Sequence, residues 1–211
     1  MNFGSSTTLC DMSVPSSAQG LLFVLAGPSG VGKTSIMQGV RDHFGASFSV
    51  SATTRQRTAE EEEGVDYYFL DEPSFQGMID RGEFLEHAQV FGRHWYGTPR
   101  QPVEAALGSG TMVILDIDVQ GARQVRESMP EAYMMFILPP SEEELLIRLR
   151  ERGRDDEEAI QRRYGEAKKE IAFANESGCF DDFLVNDDLE TTIAEAISLI
   201  ENRRNASQTS G

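Results

Sequence analysis

The sequence predicts an α/β fold in which a parallel β-sheet core is covered by helices and carries a small inserted lobe. Apolar or β-branched runs at 21–26, 48–51, 111–116, 133–138 and 183–185 alternate with stretches of helical periodicity, the pattern of a parallel, helix-covered sheet. A glycine-rich run, Gly27-Pro28-Ser29-Gly30-Val31-Gly32-Lys33-Thr34, follows the first apolar run directly. Between 67 and 90 the rhythm changes to strand, helix, strand, which places a small lobe over the sheet's binding edge.

Residues 1–19 and 205–211 are polar and without periodicity, so they are expected to be a disordered leader and a disordered tail around a folded unit at 20–204. The first strand, 21–26, leads through the glycine-rich run into a helix at 33–44, with Ile36, Met37, Val40 and Phe44 at helical spacing. A strand at 48–51 precedes the lobe, whose strand at 67–70, helix led by Pro73 and strand at 83–90 are read in turn. Helices at 99–108 and 119–128 flank the strand at 111–116, and the strand at 133–138 precedes a helix at 141–152. Ser141 and Glu144 open that helix at capping-box spacing. A helix at 157–175, a strand at 183–185 and a helix at 189–203 complete the unit, with no internal repeat.

A chain of 211 residues suits one domain of ordinary size that needs no covalent staple. Cys10 and Cys179 are its only cysteines, so neither a disulfide framework nor a cysteine metal site is indicated, and a reducing cytoplasm is the expected compartment. His43, His87 and His94 lack the spacing of a histidine metal site. The net charge of −16 argues against a broad nucleic-acid surface while leaving room for a local anion pocket. No run approaches the roughly 18 apolar residues a membrane span needs, and no signal-peptide pattern opens the chain.

The glycine-rich run matches G-x-x-x-x-G-K-[ST] between a strand and a helix. Its glycines let backbone N–H groups curl around phosphate oxygens, Lys33 reaches the terminal phosphates, and Thr34 offers a hydroxyl to Mg²⁺, with Ser35 next in the helix. This motif alone leaves a GTPase, an ATPase and a small-molecule kinase open.

Further segments narrow the choice. Ser51-Ala52-Thr53-Thr54-Arg55, Gly64 to Phe69, Glu83 to Ala88, Tyr96-Gly97-Thr98 and Asp116-Ile117-Asp118-Val119-Gln120-Gly121, continuing to Leu138-Pro139-Pro140-Ser141, Arg152-Gly153 and Val185-Asn186-Asp187-Asp188, together resemble the guanylate kinase family over essentially the whole folded unit. The resemblance implies a P-loop NTPase-like fold with a core at 20–50, 99–150 and 177–204, a GMP-binding lobe at 51–98 and a helical lid at 151–176. It implies transfer of the ATP γ-phosphoryl group to GMP, and to dGMP, giving ADP and a guanosine diphosphate in purine nucleotide metabolism. ATP and Mg²⁺ are the implied cofactors, GMP and ATP the partners, with neither nucleic acid nor membrane. A monomer or small homo-oligomer in the cytoplasm is the expected form.

By the same resemblance Arg55, Tyr67 and Tyr96 are ligands of the acceptor phosphate, Glu61 matches a position in that loop, and Ser51, Glu86, Thr98 and Asp118 read the guanine. A carboxylate suits guanine's N1–H and N2 amine, whereas adenine would leave Glu86 unpaired. Asp116 takes the water-mediated Mg²⁺ role, Arg148, Arg152 and Arg163 match lid arginines, and Asn186 falls at the adenine edge. The residues taken singly also admit plainer roles: Tyr67 and Tyr96 as sheet residues, Glu86 as a solvated charge, and Asp116 and Asn186 as helix-start residues.

The chain departs from the family where Arg55-Gln56-Arg57-Thr58-Ala59-Glu60-Glu61 puts Thr58 at the position of a second arginine; Arg57, one residue early, is the expected substitute. The loop before Tyr96 is also one residue longer, so Tyr96 is assigned by its neighbour Gly97. A non-catalytic scaffold module would lack the phosphate loop, and a kinase for another phosphorylated sugar or nucleotide is the rival reading at Thr58.

Overall fold

The computed structural model describes residues 20–90, 92–151 and 156–209. The leader and Arg152 therefore lie outside the described residues. The elements run β1 (Leu22–Ala26), α1 (Lys33–Phe44), β2 (Ser47–Phe48), β3 (Ala52–Thr53), β4 (Tyr68–Phe69), α2 (Glu72–Asp80), β5 (Phe84–Val90), β6 (His94–Pro99), α3 (Arg100–Gly108), β7 (Val113–Asp116), α4 (Val119–Ser128), β8 (Tyr133–Leu138), α5 (Glu142–Glu151), α6 (Glu157–Ser177), β9 (Asp182–Val185) and α7 (Leu189–Thr209).

Five strands in the order β2-β7-β1-β8-β9 form the core sheet, every pair parallel. The sheet is buried on both faces, which is why β1 and β8 read as continuous apolar runs. Alternation sends Phe23, Leu25, Met135 and Ile137 to one face with α1, α5 and α7, and Leu22, Val24, Met134 and Phe136 to the other with α4.

The lobe is a second sheet, β4-β3-β6-β5, with β3 parallel to β4 and antiparallel to β6. Strand–helix–strand was thus incomplete: β3 has only two residues and β6 contains Gly97 and Pro99, so neither carries a strand-like pattern in sequence. A register shift between Phe84 and Glu86 lets three successive side chains be buried. Phe84 enters the lobe core with Phe75, Leu85 enters the main core, and Glu86 faces Thr98.

Two further expectations are corrected. The strand at 48–51 is the short edge pairing Ser47–Phe48. The tail at 205–211 is helical as far as Thr209, because α7 meets no glycine or proline after Leu189 until Gly211. Only half of the capping box forms: Ser141 Oγ accepts from the Glu144 N–H at 3.0 Å, while the Glu144 carboxylate turns to Arg148. Helix α6, placed in the lid, sets Ile160, Ala167 and Ala174 into the two main clusters.

Candidate active site

The phosphate loop leaves the C-terminal end of β1 and enters α1 at Gly32, whose φ of 91° is left-handed and suits glycine. No side chain caps α1 and no acid occupies its first turn, so no negative group of the helix itself competes with an anion at its positive end. Lys33 Nζ donates to the carbonyls of Gly27 at 2.5 Å and Pro28 at 3.2 Å. Val31 is fully buried, Pro28 is buried, and Ser29 and Gly30 are half-buried along the loop, while Thr34 and Ser35 are exposed at the head of α1.

Asp116 ends β7 and opens into a cleft of about 240 Å³ whose walls also include Ser51, Thr98, Ile114 and Ile117. It is reached by solvent and yet stands deep enough that the surrounding protein raises its carboxyl above the usual range, with the Lys33 charge drawing it partly back. Among the described residues no three His, Cys, Asp or Glu side chains form a metal cage. The open Thr34 hydroxyl and the incompletely compensated Asp116 beside Lys33 fit a Mg²⁺ ion carried in on a nucleotide.

Glu86 is 8% exposed and accepts a 2.7 Å hydrogen bond from the hydroxyl of Thr98, a residue of the cleft wall. Burial raises its carboxyl, the Thr98 bond opposes that rise, and the nearby Asp118 charge adds to it. Asp118 is the N-cap of α4, its Oδ1 accepting from the N–H groups of Gln120 at 2.9 Å and Gly121 at 2.8 Å.

A second cluster gathers Arg55, Glu61, Tyr67 and Tyr96. Arg55 Nη1 donates to Glu61 Oε2 at 3.0 Å and Nη2 to Oε1 at 2.5 Å, while its guanidinium lies 5.5 Å from the Tyr67 ring centre. Tyr67 and Tyr96 meet edge to face at 5.9 Å. Glu61 raises the Arg55 pKa, Tyr96 adds to the rise, and the reciprocal bond lowers Glu61 to about 2. Thr58 belongs to this network, its N–H and hydroxyl both donating to Glu61 Oε2, at 2.9 and 3.0 Å. Arg57 is exposed.

A family model described as Guanylate kinase matches residues 19–203. The chain belongs to the guanylate kinase family. It is 51% identical over 177 residues to the guanylate kinase of Alkalilimnicola ehrlichii, covering 83% of this chain and 85% of the relative. The guanylate kinase of Thermosynechococcus vestitus is 52% identical over 175 residues, covering 82% and 90%. The crystal structure of guanylate kinase from Anaplasma phagocytophilum superposes with a TM-score of 0.64 at 33% identity, covering 89% of this chain and 88% of that one.

The structure gives three residues of the guanylate kinase resemblance the following surroundings. Arg148 reaches back to Glu144 Oε1 at 2.9 Å and to the Asn186 carbonyl at 2.9 Å. Asn186 is 5% exposed, and its side chain turns inward to the phosphate loop. Arg163 sits half-buried on α6.

Residues that the sequence reasoning passed over also meet the guanylate kinase site. Glu170 lies two helical turns beyond Arg163 on α6; its carboxyl is raised by burial, lowered by Lys33 and raised again by Asp118. Nothing in its polar surroundings set it apart. Gly121 lies where a Cβ would stand 3.2 Å from Glu86 Oε2, and a glycine inside a helix was its available signal. Gln124 ties the lobe to the core, donating to the His87 carbonyl at 3.0 Å and accepting from its N–H at 3.1 Å.

Proposed function

We propose that this chain transfers the γ-phosphoryl group of ATP to GMP, and to dGMP, producing ADP and GDP or dGDP. The observation that carries the reading is the buried Glu86, held by Thr98, which itself lines a cleft together with Ser51 and Asp116. An ionised Glu86 accepts from N1–H and the N2 amine of guanine, and a base with a ring acceptor there leaves it buried and unpaired. Ser51, Thr98 and Asp118 complete the base site, and Arg55, Tyr67 and Tyr96 bind the acceptor phosphate.

The acceptor phosphate has a second pKa near 6, so it is mostly ionised at neutral pH and needs no strong general base. One of its oxygens forms the new bond to the γ-phosphorus as the bond to the bridging oxygen of ADP breaks. The work left to the protein is alignment and cancellation of charge. Loop N–H groups and Lys33 hold the donor phosphates, while Arg148, Arg152 and Arg163 close over the transferring group and exclude water. Arg57 supplies the second acceptor cation in place of Thr58. Thr34 and Asp116 would hold the Mg²⁺, which would neutralise charge on the donor phosphates. For Arg148 this requires leaving Glu144 and the Asn186 carbonyl, a local rotation within α5.

The net charge of −16 supports a chain that binds no nucleic acid, and no helix among the described residues is long and apolar enough to cross a membrane. The same reading places it in the cytoplasm as a monomer or small homo-oligomer. The deciding experiment follows ADP formation with Mg-ATP and GMP, dGMP, AMP, UMP or ribose bisphosphate, with Lys33→Ala as the inactive control. Turnover specific to GMP and dGMP supports the reading; turnover on another acceptor alone overturns it.

A further inference from the structure

We infer that Asn186 acts as a positioning residue for the phosphate loop, working through the Val31–Gly32 peptide. The inference rests on the donor site proposed above and goes beyond it. Asn186 follows β9 at the start of the turn into α7, and it is buried. Its Nδ2 donates to the Val31 carbonyl at 2.7 Å, across 155 residues of chain. A carbonyl only accepts, so the amide must present its NH₂ to Val31 and its Oδ1 to the other side, where the Thr192 hydroxyl lies 3.2 Å away.

A peptide unit is planar and trans, and no cis bond occurs among the described residues. Holding the Val31 carbonyl outward therefore turns the Gly32 N–H to the opposite side, toward the space an anion occupies at the head of α1. Without Asn186 that plane is free to rotate, and a buried carbonyl loses its partner. Gly32 leaves the room this contact needs, since a Cβ there would stand 2.5 Å from Nδ2.

The backbone of Asn186 connects two further parts of the site. Its N–H donates to the Leu138 carbonyl at 2.9 Å, anchoring it at the end of β8, and its carbonyl accepts from Arg148 Nη1 at 2.9 Å. One residue thus bears on the loop that holds the donor phosphates and on an arginine of the proposed lid. A reader of the adenine edge would act on the base. A residue that orients a loop N–H acts on the phosphates whatever base they carry.

The test is calorimetric titration of the full chain with Mg-ATP, Mg-ITP and magnesium tripolyphosphate, which has no base, in Asn186→Ala, Asn186→Asp and Thr192→Val. Asn186→Ala should weaken all three by the same factor, about tenfold. Asn186→Asp should weaken them further, because it sets an acceptor against the Val31 carbonyl, and the KM for GMP should stay within about twofold in both. Thr192→Val keeps Asn186 and loosens its hold on the amide, so it should give a smaller loss, about threefold, again shared by all three ligands, and it serves if the Asn186 variants fail to fold. A loss confined to ATP, with tripolyphosphate unchanged, would overturn the inference in favour of base reading. Failure of the unsubstituted chain to bind any of the three would overturn the donor site itself.

Discussion

Glu61 grips both arms of Arg55, with Oε2 accepting from Nη1 at 3.0 Å and Oε1 from Nη2 at 2.5 Å, and Thr58 fastens the same carboxylate with its N–H and hydroxyl. The cation at the centre of the proposed acceptor-phosphate site is thus paired within the chain itself.

This pairing has a pH signature. The folded state lowers Glu61 from 4.5 to about 2, first through Arg55 and then through the Thr58 N–H. A depressed acid contributes stability that is fully present above the unfolded value and is lost as pH falls through the folded one. In urea denaturation, the stability difference between the unsubstituted chain and Glu61→Gln should hold from pH 7 to about 5 and shrink between pH 4.5 and 2. A difference independent of pH would mean that the ion pair does not contribute.

Thr58 cannot supply a second cation to the acceptor phosphate, and its polar groups already serve Glu61. Arg57→Ala should raise the KM for GMP by about tenfold and leave that for ATP unchanged. Thr58→Arg in the Arg57→Ala background should recover most of the loss. An unchanged KM in Arg57→Ala would show that the site works with Arg55 alone.

Glu86 should trade stability for recognition. Burial raises its carboxyl, so keeping it ionised at pH 7 costs folding free energy that vanishes below the unfolded value of 4.5. Glu86→Gln should therefore melt higher than the unsubstituted chain at pH 7, with the margin narrowing as pH falls toward 4.5 and gone below it. It should also lower kcat/KM for GMP by about a hundredfold, with ATP binding intact. Equal losses for the two nucleotides would make Glu86 a purely structural residue.

Gly121→Ala tests the packing around that carboxylate. The new Cβ would stand 3.2 Å from Glu86 Oε2 and 3.3 Å from the Ile117 Cβ, so Glu86 must move by a few tenths of an ångström. Helix propensity favours alanine by about 1 kcal/mol, which keeps α4 formed. The expected result is a KM for GMP several-fold higher with unchanged ATP binding and no loss of melting temperature. A normal KM would show that Glu86 tolerates the shift.

The phosphate loop was legible because its chemistry is local: glycines, lysine and threonine act within eight consecutive residues between a strand and a helix. The guanine-reading set was legible only through resemblance, since Ser51, Glu86, Thr98 and Asp118 come from distant segments. The lobe strands β3 and β6 were not legible, because β3 is too short for periodicity and β6 carries Gly97 and Pro99. Glu170 was hidden for another reason. Its helix carries many acids, and nothing in the pattern says which of them faces Lys33.

The sequence by itself determined the alternation of strands and helices, the place of the phosphate loop at the end of β1, and the identity of the groups able to bind phosphates and a purine. Those follow from periodicity and from the chemistry of side chains, which travel with the chain. Only the tertiary structure decided that Asn186 faces Val31, that Arg55 is held by Glu61, that Leu85 and Glu86 part at a register shift, and that Gly121 makes room for a carboxylate. Each of these depends on which atoms meet across long loops, and packing settles that only when the whole core closes.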